Sequence, residues 1–298
     1  MSDPDKSGIA QVAGLWDDLI APSLVYLNGD EDADITVEQV TNMPSTNSGF
    51  TYSTLVFPVL PNDADVFIRS DRPVNPGEPG WATAMHEFGH ALGLQHPGSY
   101  NASYSQAPTY ANNRTYDEDT ARYSIMSYFE PDDDGSAVAA RWFGQQTLTP
   151  MIYDILAIQQ LYGADTTTRT DDTTYGFNGT ANRAIFNFTT AGIRTFMPVM
   201  TIWDAGGRDR LDFSKYEVNQ RIDLTPGSYS DVGQNAFNGL TGNFGIAFDT
   251  WIEEAIGGAG DDVITGNDLD NLLDGGPAAI RSARPTTTLS SVLEATTR

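Results

Sequence analysis

The sequence predicts two domains of different class, an α+β domain over residues 1–163 and an all-β domain over residues 164–276 that ends in a short parallel β-roll. In the first domain, apolar residues recur at helical spacing in segments that are separated by strand-like runs. After Gly163 the helical periodicity disappears, and short alternating strands are separated by Gly, Asp and Asn. From Gly257 to Gly276 the pattern repeats every nine residues, which is typical of a parallel β-roll. Residues 277–298 reverse the acidic balance of the chain and are rich in Thr, Ser and Ala, so we expect a disordered tail.

Length and composition exclude several classes of function. A chain of 298 residues with 40% hydrophobic residues can bury a sizeable core, which argues against global disorder. Its formal net charge of −24 repels phosphate backbones and anionic lipid, so we expect no binding to nucleic acid or to membrane surfaces. No run approaches the roughly 18 apolar residues that a membrane span needs. The absence of cysteine excludes disulfides, thiolate zinc sites and thiol nucleophiles. The acidity itself has two interpretations, plain solubility or the binding of cations, above all calcium.

Each element of the first domain follows from a local pattern. Apolar residues at helical spacing behind Ser7 predict an opening helix, and a second helix is predicted from near Trp81 to Gly93. The last long helix is expected to begin at Thr149, whose hydroxyl would be the N-cap, and to end at Gly163. Strands are predicted for three runs: Asp34–Val40, Tyr52–Leu60 and Asp65–Arg69.

A pattern typical of zinc sites lies on the second helix. His86 and His90 are four residues apart, so both imidazoles project from one helix face and can reach one metal ion. Glu87 lies beside them, placed to act on a metal-bound water rather than to bind the metal. Gly93 tolerates the positive φ that lets the chain leave the helix sharply, and His96 can then return as a third ligand. A helix histidine is more often an ordinary surface or core residue, but these are the three histidines of the chain and they share one motif. The pattern therefore favours zinc.

A second pattern lies between Ser124 and Phe129. A methionine in an apolar run is by itself simply a core residue. Here Met126 is followed two residues later by Tyr128, and together with the histidine motif this completes the pattern of a metzincin methionine turn.

Together these segments resemble the serralysin family of bacterial secreted metalloproteases. The resemblance extends from Ile9 to Gly276 and is carried by four segments: His86–Tyr100, Tyr116–Phe129, the helix end Ile158–Gly163 and Trp203–Gly207. It implies a metzincin fold for the catalytic first domain. The implied roles are zinc binding for His86, His90 and His96, general base for Glu87, a ligand or hydrogen-bonding group beside zinc for Tyr128, and the floor of the site for Met126.

The resemblance also implies a function. It predicts a secreted, extracellular, zinc-dependent endopeptidase of broad specificity that is stabilised by calcium and hydrolyses peptide bonds in extracellular proteins. Its partners would be protein and peptide substrates and a proteinaceous protease inhibitor, and it would act as a monomer. Bacterial type I secretion is expected, although its C-terminal signal is not seen in this chain. We also expect the chain to be truncated at both ends relative to the family.

The nine-residue repeats predict calcium-binding loops, although clusters of Gly, Asp and Asn most commonly mark turns. Glu253, Asp262 and Asn271 are spaced by nine at the sixth position of successive units. Because the loops alternate between two edges, Glu253 and Asn271 are expected to face each other, whereas Asp262 would face Ile280 and leave that site incomplete. The resemblance implies several calcium ions, held by backbone or side-chain oxygens of the following residues: Arg169, Asp171, Thr173, Asp204, Gly206, Gly207, Asp209, Trp251, Glu253, Gly258, Gly260, Asp262, Asn267, Leu269 and Asn271.

A function of another class stays open. The chain could be a truncated relative without catalytic activity that keeps the zinc helix as a structural element and acts as a calcium-dependent binding module. The missing upstream segment and the third repeat, broken at Pro277, favour this alternative, whereas the intact Glu87 and Tyr128 favour the enzyme.

Overall fold

The chain divides into two compact units, unit 1 (Met1–Asp165) and unit 2 (Thr166–Arg298). The computed structural model describes residues 2–27, 33–43, 48–53, 63–101, 107–135, 145–189, 198–233, 241–277 and 281–282. Within these ranges, no helix is both long enough and apolar enough to cross a membrane.

Unit 1 contains the α-helices of the described chain, whereas unit 2 has one short 3-10 helix among its described residues, Ala184–Phe186. The α-helices are α1 (Asp3–Asp17), α2 (Pro79–Ala91), α3 (Tyr110–Asn113) and α4 (Ile152–Tyr162). The prediction that the first helix begins behind Ser7 is wrong. The Ser2 hydroxyl accepts a hydrogen bond from the backbone N–H of Asp5 at 3.4 Å, and this cap starts the helix one turn earlier. Similarly, α2 begins at Pro79 rather than near Trp81, because proline is pre-set for the first helical turn.

The ends of α4 test two further predictions. The predicted N-cap at Thr149 is wrong, because Met151 is the N-cap and its backbone N–H donates to the Asp154 carboxylate at 2.8 Å. The predicted helix end at Gly163 is confirmed, and its φ of +77° is one that glycine adopts without strain.

A three-stranded sheet lies beside the helices of unit 1. Its strands are β1 (Ile35–Val40), β2 (Gly49–Ser53) and β3 (Ala64–Arg69), in the order β1-β3-β2. β1 runs parallel to β3 and β2 antiparallel to it, so β2 is an edge strand of the described sheet. The predicted strand Tyr52–Leu60 is confirmed only at its start, since β2 begins at Gly49 and residues 54–60 lie outside the described residues.

Buried tryptophans anchor α2 within unit 1. The indole of Trp16 on α1 donates to the backbone carbonyl of Met85 at 3.2 Å, and the indole of Trp81 donates to that of Leu148 at 3.1 Å. Both tryptophan side chains are fully buried. Because α2 is attached on two sides, the side chains along it keep a defined orientation.

Unit 2 is built from short strands, and the all-β class predicted for it is confirmed. The strands are β4 (Thr174–Gly176), β5 (Met200–Ile202), β6 (Arg210–Asp212), β7 (Arg221–Asp223), β8 (Tyr229–Ser230), β9 (Phe244–Ile246), β10 (Glu254–Ile256), β11 (Val263–Thr265), β12 (Leu272–Asp274) and β13 (Arg281–Ser282). They form sheets in the orders β12-β10-β6-β4, β13-β11-β7 and β5-β9-β8. In the first two sheets every strand pair is parallel.

The nine-residue repeat builds two of these sheets alternately. β10 pairs with β12 so that Glu254 faces Leu272, and β11 pairs with β13 so that Val263 faces Arg281. Partners are thus two repeats apart, as a parallel roll requires. The roll also extends beyond the repeats in the sequence, since β6 and β7 add an earlier layer and β13 a later one.

The expectation of a disordered tail from residue 277 is wrong for Arg281 and Ser282, which form β13. The reason is that β11 offers a free row of backbone donors and acceptors, and these two residues pair with it. Residues 278–280 and 283–298, and with them the expected gap at Ile280, lie outside the described residues.

Candidate metal centre and catalytic site

The helix α2 and the turn that follows it present three imidazoles to one point. His86 and His90 lie on one face of α2, four residues apart. Gly93 has a φ of +101°, which turns the chain back and returns His96 toward the same face. Within the described ranges, these histidines are the one group of three or more His, Cys, Asp or Glu side chains whose ligand atoms all lie within 4.8 Å of one another.

Hydrogen bonds fix the protonation pattern of the three rings. Nδ1 of His86, His90 and His96 lies 2.8 Å from the backbone carbonyls of Ile125, Leu94 and Tyr100, respectively. A carbonyl oxygen can only accept, so each Nδ1 carries the proton and each Nε2 of the neutral ring keeps its lone pair. Burial lowers the pKa of His86 to about 3 and that of His96 to about 4, and it also lowers the pKa of His90. The rings are therefore neutral at pH 7, as metal ligands must be.

The three Nε2 atoms are spaced as zinc ligands. Nε2 of His96 lies 3.1 Å from Nε2 of His90 and 3.3 Å from Nε2 of His86. Tetrahedral zinc with Zn–N bonds of about 2.0–2.1 Å separates its nitrogen ligands by about 3.3–3.4 Å. Lone pairs that converge at this distance repel one another unless a cation lies between them. The donor set thus fits zinc.

Glu87 lies one residue from the first histidine but does not join the imidazole group. Its side chain is 6% exposed, and its Oε2 accepts a hydrogen bond from the Thr51 hydroxyl at 2.7 Å. Burial raises the pKa of Glu87 to about 7, although the hydrogen bond from Thr51 opposes the shift. A carboxyl group with this pKa can both accept and release a proton near neutral pH. The role of Thr51 could not be read from the sequence, because it lies on a different element.

The predicted methionine turn lies directly against α2. Met126 is 1% exposed, and a Cβ placed on Gly89 would come within 2.6 Å of its sulfur. Tyr128 follows at the rim of the site and is 39% exposed. Its ring centre is 4.4 Å from that of His96 and 5.9 Å from that of His86.

Asp154, a buried carboxylate that the sequence analysis missed, holds the start of this turn. Its Oδ1 accepts from the Ser124 hydroxyl at 2.6 Å, and its Oδ2 accepts from the Ile125 N–H at 2.7 Å and the Met151 N–H at 2.8 Å. The Ile125 carbonyl is in turn the partner of His86. An acid within an apolar helix indicates a buried hydrogen-bonding role, but its partners Ser124 and Ile125 lie far away in the sequence.

Asp119, also missed, holds the end of the same turn. Its Oδ1 accepts from the hydroxyls of Tyr100 and Ser127, each at 2.8 Å. Ser127 precedes Tyr128, and the backbone carbonyl of Tyr100 is the partner of His96. Asp119 thereby connects the third histidine to the residue before Tyr128.

A cleft of about 890 Å³ opens over these residues. Its described lining includes the three histidines, Glu87, Tyr128, Ser48 and the first residues of β2, Gly49 to Thr51. The edge strand therefore forms one wall of the cleft, and the three histidines lie within it.

In unit 2, three of the predicted calcium-binding carboxylates come together. Asp204 and Asp209 are buried, and Glu253 accepts a hydrogen bond from the Asp209 N–H at 2.8 Å. Oδ1 of Asp209 accepts from the Thr173 N–H at 2.7 Å, but its Oδ2 is buried and receives no hydrogen bond from the described residues when both aspartates are ionised. Burial and then the charge of Asp204 raise the pKa of Asp209 to about 8, and burial raises the pKa of Glu253. An all-oxygen cluster of this kind is chemically suited to calcium.

Two glycines near this cluster have backbone conformations that other residues rarely adopt. Gly206 and Gly207 have φ values of +145° and +132°. A Cβ on Gly207 would lie 2.7 Å from the Asp171 carbonyl oxygen, so the two loops approach closely. Arg169 also has a positive φ, +53°, and Trp251 is 40% exposed. Carboxylates alone do not complete a site here, so a cation would also need carbonyl oxygens from these loops.

In the roll, the side chains of the predicted ligands accept hydrogen bonds from backbone N–H groups of the loops around them. Asp262 accepts from the backbone N–H groups of Gly258 at 2.6 Å and Gln220 at 2.8 Å. Asn271 accepts from the Asn267 N–H at 2.7 Å and donates to the Asn267 side chain at 2.9 Å.

Two further predicted positions complete this pattern. The Leu269 N–H donates to the Asn267 side chain at 3.0 Å. Gly260 lies so close to the chain at Val218 and Asn219 that a Cβ would come within 2.4 Å of both. Tight turns and hydrogen-bonded caps therefore account for these residues without a cation, while their oxygens remain those that calcium would use.

The strand register arranges the sixth-position residues in two columns. The register of β10 and β12 places Glu253 beside Asn271 on one edge, as expected from the repeat. The Glu253 side chain also accepts a hydrogen bond from the Asp209 N–H, because β6 adds a layer on the other side of β10. The columns are Asp209, Glu253 and Asn271 on one edge, and Gln220 and Asp262 on the other.

Comparison with known proteins finds similarity to one family. The family model described as Peptidase M10 serralysin C terminal matches residues 164–278. A serralysin from Photorhabdus laumondii subsp. laumondii is 46% identical over 207 residues, which is 70% of this chain and 40% of that protein. Serralysin C from Dickeya chrysanthemi is 48% identical over 192 residues, 64% of this chain and 37% of that protein. The metalloprotease AprA of Pseudomonas entomophila is 40% identical over 239 residues, 78% of this chain and 47% of that protein. The chain therefore spans less than half the length of these relatives.

Proposed function

We propose that this chain, which belongs to the serralysin family, carries the catalytic centre of a secreted zinc-dependent endopeptidase with a metzincin catalytic domain. The observation that carries the proposal is the convergence of three Nε2 lone pairs within 4.8 Å, each fixed by a carbonyl at 2.8 Å on the other side of its ring. His86, His90 and His96 would hold the zinc ion. Bound zinc supplies a Lewis acid that polarises a peptide carbonyl and makes an attacking water more acidic.

Glu87 would move the proton in this reaction. It takes a proton from the attacking water and passes it to the leaving amine, for which a pKa of about 7 suits both transfers. Its buried carboxylate lines the cleft and is anchored at Oε2, so Oε1 would be the oxygen that takes the proton. Tyr128 would donate a hydrogen bond to the oxyanion that develops on the substrate carbonyl. Met126 would serve as the floor that supports α2 between the histidines.

The substrate would be an extended peptide paired with β2. Among the described strands, β2 pairs with β3 alone, and it lines the cleft beside Glu87. When a peptide pairs with an edge strand, the hydrogen bonds form between backbones and depend little on the side chains of the peptide. This supports broad specificity for extracellular protein substrates. A proteinaceous inhibitor that enters the same cleft, a monomeric state, and export from a bacterium by type I secretion belong to the same proposal.

Calcium would stabilise unit 2. The crowded Asp204, Asp209 and Glu253 support a site at the start of the roll, where the unpaired Oδ2 of Asp209 could bind the cation. The loops at Asp262 and Asn271 would hold further ions by carbonyl and side-chain oxygens. Binding of calcium to the folded state alone stabilises it by mass action.

The proposal is tested by digestion of casein or a quenched peptide with the zinc-loaded chain. Activity is expected, with loss on addition of a zinc chelator and recovery on readdition of zinc. His96→Ala is the matched variant, since it removes one ligand outside α2 and should release zinc. A folded, zinc-loaded chain that cleaves no peptide would contradict the proposed enzymatic function. The calcium-dependent binding module would then be the remaining alternative. The pre-organised histidines and buried Glu87 oppose that alternative.

A further inference from the structure

We propose that Thr51 on the edge strand β2 is a positioning residue for Glu87, and that its hydroxyl holds the carboxylate in the orientation needed for proton transfer. The inference rests on the proposed function, since it concerns the base of that reaction. It adds a residue of the substrate-binding strand to the catalytic machinery.

The contact is specific to one atom of the carboxylate. The Thr51 hydroxyl lies 2.7 Å from Oε2 of Glu87 and 3.1 Å from the backbone carbonyl oxygen of the same residue. A hydroxyl has one proton to donate, and the shorter distance and the charge favour the carboxylate. Among the described residues no other donor reaches the Glu87 carboxylate, so Thr51 alone anchors it.

The backbone of β2 restricts Glu87 from the same side. A Cβ on Gly49 would lie 2.9 Å from Cγ of Glu87 and 2.7 Å from Cγ2 of Thr83. The strand thus lies directly against the side chain two residues before the hydroxyl contacts it. With Cγ confined and Oε2 anchored, rotation of the carboxylate is limited, and Oε1 keeps one direction.

This arrangement connects substrate binding to the position of the base. Alternate residues of a strand point to opposite faces, so Gly49 and Thr51 face α2 while Phe50 stacks on Phe67, 4.7 Å away, on the other face. The edge of β2 that pairs with no other described strand lies between these faces. A peptide that pairs with this edge rigidifies the strand that holds Glu87.

The test compares Thr51→Val, Thr51→Ser and Thr36→Val in the zinc-loaded chain. Valine keeps the shape and strand preference of threonine but removes the donor, whereas serine keeps the donor. Thr36 on β1 is the matched control, because its exposed hydroxyl also donates to a carboxylate, that of Asp65 at 2.5 Å, away from the cleft. We expect Thr51→Val to lower kcat by about tenfold to a hundredfold, the effect of a lost hydrogen bond to a charged group. KM should stay within about twofold, and Thr51→Ser should keep most of the activity.

A second readout does not depend on activity. In a crystal structure of Thr51→Val, the Glu87 carboxylate should leave its position while the zinc content and the three imidazoles stay unchanged. A kcat equal to that of the unmodified chain, or a loss that serine does not restore, would overturn the positioning role while leaving the proposed function intact. If the unmodified zinc-loaded chain cleaves no peptide, the proposed function fails and this inference fails with it.

Discussion

Asp154→Ala should destabilise unit 1 and weaken zinc binding, although the residue contacts neither zinc nor substrate. Asp154 is 2% exposed, and its carboxylate accepts three hydrogen bonds, from Ser124, Ile125 and Met151. Alanine would leave two buried backbone N–H groups without partners, at a cost of about 1–3 kcal/mol each. The Ser124 hydroxyl can rotate toward another acceptor, so we add no energy for its lost hydrogen bond to Asp154.

Part of this loss is offset. Burial raises the pKa of Asp154 to about 6, which means that the folded chain stabilises its charged form less well than water does. Removal of the acid relieves that cost. We therefore expect a net loss of about 1–3 kcal/mol in the free energy of unfolding, or about 2–12 °C in the melting temperature of unit 1.

The measurement is urea unfolding of the zinc-free chain, together with zinc affinity by competition with a chelator dye. The zinc affinity should fall because Ile125, released from Asp154, no longer holds its carbonyl 2.8 Å from Nδ1 of His86. Asp71→Ala is the control, since Asp71 is exposed and, among the described residues, its ion pair is with Arg69 at the surface. A loss below about 1 kcal/mol for Asp154→Ala, comparable to this control, would refute the view that Asp154 organises the methionine turn.

Three further predictions concern catalysis and calcium. Glu87→Ala should lower kcat by about 10²–10⁴-fold while zinc stays bound, as measured by peptide hydrolysis and metal analysis; a tenth or more of the activity remaining would remove Glu87 from the role of base. Tyr128→Phe should lower kcat by up to about 10²–10³-fold with little change in KM, whereas an effect on KM alone would mean that the phenol only shapes the cleft. In a calcium chelator, the melting temperature of unit 2 should fall, and it should fall further as pH rises toward 8. The sign follows from Asp209, whose folded pKa of about 8 lies above its unfolded value near 3.8, so its contribution is complete below about pH 4 and is lost as pH rises through 8. A melting curve indifferent to both calcium and pH would contradict the calcium assignment.

The sequence by itself determined the features that depend on neighbours along the chain. The spacing of His86 and His90 is a property of one helix, and the positive φ of Gly93 is needed to return His96, so the convergence of the three rings could be predicted locally. The same holds for β10, β11 and β12, because a nine-residue repeat sets the register of a roll without reference to the rest of the fold.

Helix starts were predicted less well, because they depend on single hydrogen bonds. The N-cap of α1 is Ser2 rather than a residue near Ser7, and α4 begins after Met151 rather than at Thr149. In each case, a side chain that accepts a backbone N–H decides the boundary, and several residues in the segment could have done so.

Only the tertiary structure decided which side chains support the site. Thr51 reaches Glu87 from another element, and Asp119 and Asp154 hold the methionine turn from positions far from the histidine motif. Likewise, β6 joins the roll although it carries no repeat, because its backbone pairs with β10. Such contacts arise from the packing of distant segments, and a hydrogen bond between them leaves no periodic signal in the sequence.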